Sequence, residues 1–170
     1  DEAEERAFKA VTEKNPDLDS EISREIARIV GIGAVKYADL LPNRQTDYVF
    51  DWDKLLSLSG NTAPYLQYAC TRIRSIFRKA ALNESEFLKS LGSDAENILE
   101  LDSDFEKKLV RHLLNFGLVL ESVLEDQRPN YLCNYLFELA GHYTSFYENC
   151  PVLKSEGSTR NSRLILCSLT

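Results

Sequence analysis

The segment GNTAPYLQYACTRIRSIFRKA, residues 60–80, constrains the fold of this chain more than any other feature. Its apolar residues recur at intervals of three and four, as on the buried stripe of an α-helix that packs on a core. These residues are Leu66, Ala69, Ile73, Ile76, Phe77 and Ala80. Gly60 and Asn61 are typical of the start of a helix. Pro64 suits the first turn, because backbone N–H groups there have no hydrogen-bond partner within the helix. The segment therefore predicts a long amphipathic helix.

This helix lies in a basic part of an acidic protein. The chain of 170 residues carries 27 Asp and Glu against 20 Lys and Arg, yet residues 54–83 contain no Asp or Glu. The cations of the stretch are Lys54, Arg72, Arg74, Arg78 and Lys79. The net charge of −7 argues against a protein that coats nucleic acid over its whole surface. Any nucleic-acid contact would have to be a local patch, here the run from Arg72 to Lys79.

Two tyrosines and two cations share the helix face beside the apolar stripe. At about 100° per residue, Tyr65, Tyr68, Arg72 and Lys79 fall within one sector. Such rings can stack unpaired bases, at roughly 1–3 kcal/mol per base, while the cations neutralise the flanking phosphates. The alternative is that the tyrosines edge the core and the cations are solvated, as on many amphipathic helices. The pattern alone favours this alternative.

The rest of the chain predicts an all-α helical bundle. A second helix is predicted after a cap at Asp19 or Ser20, with Ile22, Ile26, Ile29 and Val30 on one side. Further helical patterns occur at residues 1–14, at DWDKLLSL, near Phe105–Asp126, over Tyr131–Glu148 and from Leu164. Gly31 and Gly33 mark a kink or the close approach of another backbone. The composition of residues 83–104 predicts a solvent-exposed stretch. Dense turn signals and a change in charge place a domain boundary at Gly60, giving domains 1–60 and 61–170.

Few residues carry the patterns of catalysis or metal binding. His112 and His142 have no metal-ligand spacing and no serine nucleophile nearby, so structural histidines are expected. The four cysteines form no CxxC pair, which predicts reduced, mostly buried thiols and no metal site. P-loop, GxGxxG and HExxH motifs are missing, and no apolar run is long enough to span a bilayer. Tyr147, at the end of a helix, is a further candidate ring for stacking a base, with core-edge packing as the alternative.

Long strings of this sequence strongly resemble the C-terminal part of arginyl-tRNA synthetases, which are class I aminoacyl-tRNA synthetases. The strings are GAVKYADL at 33–40, DYVFDWDKLLSL at 47–58 and GNTAPYLQYACTRIRSIFRKA at 60–80. A weaker match runs through NYLFELAGHYTSFYENCPV and RLILC. The resemblance covers essentially the whole chain and implies an all-α bundle of the anticodon-binding type.

The resemblance implies a role for each half of the chain. Residues 1–60 look like the helices that connect the catalytic domain to the anticodon-binding domain and pack beneath the inner corner of the tRNA. Residues 61–170 look like the helical anticodon-binding domain, C-terminally truncated so that the last helix is missing. Carried over to matching positions, Tyr65, Tyr68 and Arg72 are anticodon-loop contacts and Tyr147 is another aromatic contact. Lys79, with Arg78 beside it, is implied to contact the RNA backbone.

The activity implied by the resemblance is the ATP-dependent attachment of arginine to its tRNA in the cytoplasm, with Mg accompanying the ATP. The chain begins without an initiator Met and lacks counterparts of the family's HIGH-like and KMSKS-like signatures. We therefore expect a fragment that binds the anticodon arm, holds no cofactor and is inactive alone, while a missing catalytic domain binds arginine and ATP. Neither DNA nor a membrane is an expected partner. The alternative is a helical protein-protein interaction module whose Tyr/Arg face binds another helix.

Overall fold

The computed structural model describes residues 2–92 and 99–170. These residues form α-helices joined by turns and short irregular segments, and none of them lies in a β-strand. The helices are α1 (Glu2–Lys14), α2 (Ser20–Leu40), α3 (Trp52–Leu55), α4 (Ala63–Lys79), α5 (Glu84–Ser90), α6 (Asp104–Leu114), α7 (Phe116–Asp126), α8 (Asn130–Asn149) and α9 (Gly157–Leu169). The prediction of an all-α fold is confirmed.

The chain divides into two compact units. Unit 1 comprises Asp1–Tyr68 and Glu121–Phe137, and unit 2 comprises Ala69–Leu120 and Glu138–Thr170. Helices α4, α7 and α8 each contribute residues to both units. The predicted domain boundary at Gly60 stays a prediction.

In unit 1, α1 and α2 pack through small side chains. Asp19 caps α2 by accepting from the backbone N–H groups of Glu21 and Ile22, as one of the two predicted caps. The buried positions of α2 are Ser23, Ala27, Gly31 and Ala34. A Cβ atom built on Gly31 would lie 2.7 Å from the carbonyl oxygen of Ala3, so the close approach predicted at this glycine is real. Helix α2 runs unbroken through Gly31 and Gly33.

The isoleucines of α2 lie on a different side of the helix from this packed face. Ile22, Ile26 and Ile29 are 52%, 36% and 51% exposed. Close packing between α1 and α2 therefore depends on the smallness of the buried residues and not on the large apolar ones.

We expect Gly31→Ala to lower the free energy of unfolding by roughly 1–3 kcal/mol, because the added methyl group would force the α1 backbone to move. Chemical denaturation measures the change. Gly141→Ala, inside α8, is the matched control, because a Cβ atom there meets no atom within 4 Å. It should instead raise stability by about 0.4–1 kcal/mol. Equal effects of the two substitutions would contradict the close approach at Gly31.

The core of unit 2 is formed by α4, α6, α8 and α9. Its buried apolar residues include Ile76, Phe77, Leu109, Tyr143, Phe146, Leu164 and Leu166. The apolar stripe predicted for residues 60–80 is thus buried deepest at Ile76 and Phe77, which are 3% and 4% exposed.

One sequence prediction for this part of the chain was wrong. The single helix predicted near Phe105–Asp126 is two helices, because the backbone N–H of Asn115 turns back to the carbonyls of His112 and Leu113 and ends α6. The predicted solvated stretch is mostly exposed where it is described, and it contains helix α5, which the sequence did not predict and whose first turn is capped by the Asn83 side chain. Residues 93–98 of that stretch lie outside the described residues.

A buried ion pair joins the start of α6 to α9. Glu106 is 1% exposed and accepts hydrogen bonds from the backbone N–H groups of Asp102 and Ser103, at 2.9 Å and 2.8 Å. Its second oxygen lies 2.7 Å from Nε of Arg163. Nη1 of Arg163 also donates to the Ser155 hydroxyl at 2.6 Å. One carboxylate thus completes the capping box of α6 and neutralises the arginine of α9.

We expect Glu106→Gln to lower the free energy of unfolding by about 3 kcal/mol, because the largely buried guanidinium of Arg163 would lose the carboxylate that lies 2.7 Å away while remaining in place. Denaturant unfolding followed by circular dichroism measures it. Arg28→Gln breaks a solvent-exposed pair with Glu25 and should leave stability unchanged within error. If Glu106→Gln left the free energy of unfolding unchanged, the ion pair would contribute little to stability.

Candidate nucleic-acid interface

Helix α4 begins as its sequence predicts. The hydroxyl of Thr62 donates to the carbonyl of Ser57 at 2.7 Å and accepts from the backbone N–H of Tyr65 at 3.3 Å. Pro64 lies buried in the first turn, where it needs no hydrogen-bond acceptor. These contacts fix the start of the helix and hence the direction in which its side chains point.

Tyr65 and Tyr68, both in unit 1, differ in exposure. The ring of Tyr65 is half-buried and packs on Phe137, with ring centroids 5.6 Å apart and planes at 59°. Tyr68, one turn further along, is 51% exposed. Tyr68 therefore exposes more of its ring to solvent than Tyr65 does.

Arg72 and Tyr147 meet in unit 2. The Cζ atom of Arg72 lies over the Tyr147 ring, 4.7 Å from its centroid, in cation–π geometry. Tyr147 is 37% exposed, and its ring centroid is 6.1 Å from that of Tyr143. Tyr143 is fully buried, and this burial raises the pKa of its hydroxyl well above the ordinary value. The buried Tyr143 ring therefore supports Tyr147, and Tyr147 supports the guanidinium.

The remaining cations of α4 are solvated. Arg74, Arg78 and Lys79 are exposed, and Nη2 of Arg78 lies 3.5 Å from the Ser75 hydroxyl. Within residues 2–92 and 99–170, no ion pair joins any of these three cations to an acidic side chain. Arg78 and Lys79 also occupy the last turn of α4, where positive charge interacts favourably with the helix dipole.

The structure thus brings together two of the five residues that the sequence singled out. Arg72 and Tyr147 are in contact in unit 2, Lys79 is exposed in the same unit, and Tyr65 and Tyr68 belong to unit 1. Sequence reasoning did not find the supporting rings, Phe137 and Tyr143. A signal existed for Tyr143, which lies one helical turn before Tyr147. None existed for Phe137, which is far from Tyr65 in the sequence.

Other kinds of site find little support in the described parts of the chain. No group of three or more His, Cys, Asp or Glu side chains there could hold a metal ion. None of the described helices is long and apolar enough to cross a membrane. Cys70 is exposed, whereas Cys133, Cys150 and Cys167 are buried. Burial raises the pKa of the Cys167 thiol to about 12, so this thiol stays protonated at neutral pH.

Two family models match the chain. The model of the DALR anticodon binding domain matches residues 66–170, which include Tyr68, Arg72, Lys79 and Tyr147. The model of the catalytic domain of class I (R) tRNA synthetases matches residues 1–52.

Individual proteins match along the whole chain. It is 50% identical over 171 residues to an arginine–tRNA ligase of Klebsiella pneumoniae and 52% identical over 169 residues to one of Chromobacterium violaceum. These matches cover 100% and 99% of this chain, and the chain spans only 28% of the length of either relative.

Solved structures agree with these relatives. The arginyl-tRNA synthetase of Plasmodium falciparum superposes with a TM-score of 0.84 at 31% identity, covering 99% of this chain and 29% of that one. That of Thermus thermophilus gives a TM-score of 0.80 at 30% identity, covering 99% and 28%.

Proposed function

Because the chain belongs to the DALR anticodon-binding domain family, we propose that it is the tRNA-recognising C-terminal part of an arginyl-tRNA synthetase. The whole protein attaches arginine to its tRNA with ATP and Mg in the cytoplasm. Arginine and ATP bind in the catalytic domain, of which residues 1–52 match one part. This chain alone binds the anticodon arm and is inactive, and its nucleic-acid partner is RNA and not DNA.

One observation carries the proposal: side chains that the resemblance assigns to the anticodon loop remain at the surface of the folded chain. Tyr68 and Tyr147 are 51% and 37% exposed, and both lie within the DALR match. An exposed aromatic ring that is not needed to fill a core can stack an unpaired base.

Tyr65 and Tyr68 contribute to RNA binding in different ways. Tyr68 presents an open ring on which a base stacks. Tyr65, whose ring contacts Phe137, contributes its edge and hydroxyl and helps to hold the start of α4. We therefore expect substitution of Tyr68 to weaken stacking directly and substitution of Tyr65 to act partly through stability.

The guanidinium of Arg72 lies over the ring of Tyr147. This guanidinium can stack on a base through its plane and donate hydrogen bonds through its edge. Every arginine codon has G in the middle, so the middle anticodon base is C, whose Watson–Crick edge presents two neighbouring acceptors. A guanidinium edge fits those acceptors better than it fits uracil, which places an N–H between two carbonyls.

Lys79 and Arg78 contribute through charge alone. Both are exposed at the end of α4, without an acidic partner in the described residues. They neutralise phosphates of the bound RNA, which gives affinity without sequence information.

We expect Tyr68→Ala to weaken binding of arginine-accepting tRNA by about 10- to 100-fold, which corresponds to roughly 1–3 kcal/mol for one lost stacking ring. Its salt dependence should match that of the unchanged protein. Lys79→Ala should lower the slope of log K against log salt by about 1, because one phosphate contact is lost. Filter binding or fluorescence anisotropy at several salt concentrations measures both.

Lys89→Ala, which removes an exposed cation of α5, is the control and should change neither quantity. The proposal fails if arginine-accepting tRNA binds no tighter than a tRNA with an unrelated anticodon. It also fails if Tyr68→Ala and Lys89→Ala bind equally well. Binding of a protein in place of tRNA, lost on Tyr68→Ala, would support the protein-protein interaction module instead.

A further inference from the structure

The two histidines of this chain face each other inside unit 2. His112 on α6 and His142 on α8 have ring centroids 5.0 Å apart, with planes at 52°. The His112 side chain is only 10% exposed, and His142 is partly buried. Each helix therefore contributes one ring to this contact.

One anion and one cation flank this contact. Oε2 of Glu138, one turn before His142 on α8, lies 4.0 Å from Nδ1 of His112. Lys108, one turn before His112 on α6, adds positive charge near the rings. Within the described residues, the charged groups that act on His142 are His112, Glu138 and Lys108.

We propose that the contact between His112 and His142 is a pH-dependent latch between α6 and α8, closed while the His142 ring is neutral and loosened when this ring takes up a proton. The neutral His142 ring makes an ordinary packing contact with His112. A proton on His142 places a positive charge at this contact and near Lys108, and the carboxylate of Glu138, whose side chain is 64% exposed, offsets that charge only weakly.

The direction of the pH effect follows from His142. Burial lowers its pKa, the neighbouring His112 and Lys108 lower it further, and Glu138 partly opposes them. The folded protein therefore binds this proton less readily than the unfolded chain does. Stability is unaffected well above the ordinary histidine pKa of about 6.5, falls as the pH drops below it, and levels off only below the folded pKa.

The latch is placed where it can act on the proposed RNA contacts. His142 is followed directly by Tyr143, which packs beside Tyr147, and Tyr147 carries Arg72. If this turn of α8 loosened, Tyr147 would no longer hold the Arg72 guanidinium in place. Under the proposed function, acidification should weaken tRNA binding, although the protein gains positive charge that would otherwise strengthen it.

The direct test is the pKa of His142, measured by NMR titration of its ring protons in four variants. We expect Lys108→Gln and His112→Gln to raise this pKa, because each removes positive charge. Glu138→Gln should lower it, because it removes the carboxylate that raises the pKa of His142. Lys89→Gln, on α5, is the control and should leave it unchanged. Lys108 and Glu138 are exposed, so their variants should fold even if His112→Gln does not.

The latch is overturned if the pKa of His142 is not lowered in the unchanged protein, or if Lys108→Gln and Glu138→Gln fail to move it in opposite directions.

Thermal unfolding gives a second readout that does not depend on RNA. From about pH 7.5 to about pH 5.5 the melting temperature should fall, and the double variant His112→Gln/His142→Gln should flatten most of this slope. An unchanged slope in the double variant overturns the latch. Loss of all tRNA binding at about pH 7.5 would count against the proposed function while leaving this test intact.

Discussion

Helix α4 must bury an apolar stripe, and this constraint decides which of its other side chains remain at the surface. Ile76 and Phe77 fix the second half of the helix against the core of unit 2, and Thr62 and Pro64 fix its start in unit 1. Because a helix advances by about 100° per residue, anchoring these points determines the direction of every side chain between them. The exposure of Tyr68 and Lys79 follows from the burial of their neighbours.

Arg72 shows why exposure alone does not describe a binding surface. A guanidinium on a free side chain must lose conformational entropy when it binds a base or a phosphate. Here the Tyr147 ring already holds the guanidinium, and the buried Tyr143 lies beside Tyr147. The support therefore extends from the core of unit 2 to its surface, and the cost of ordering Arg72 is met largely by folding. The same helix that provides this support, α8, also carries His142, which links the surface to a titratable contact.

The sequence predicted features that depend on local pattern. The all-α fold, the place of Pro64 in the first turn of α4 and the Asp19 cap all follow from helical periodicity and capping chemistry, which act over a few residues. The contact between Arg72 and Tyr147 did not follow from pattern, although the resemblance placed both residues at the RNA. Phe137 behind Tyr65 and the His112–His142 pair were also missed, because such contacts join residues far apart in the chain. Asn83 and Asn115 were missed for a different reason: each ends or begins a helix inside a stretch whose composition suggested otherwise.

Chemical probing of an arginine-accepting tRNA shows whether the chain binds the anticodon loop. With the chain bound, we expect protection of the anticodon-loop bases, strongest at the middle C, and loss of that protection with Arg72→Ala while the tRNA elbow is unaffected. Protection confined to regions outside the anticodon loop, or protection of the middle C that Arg72→Ala leaves unchanged, would contradict this expectation.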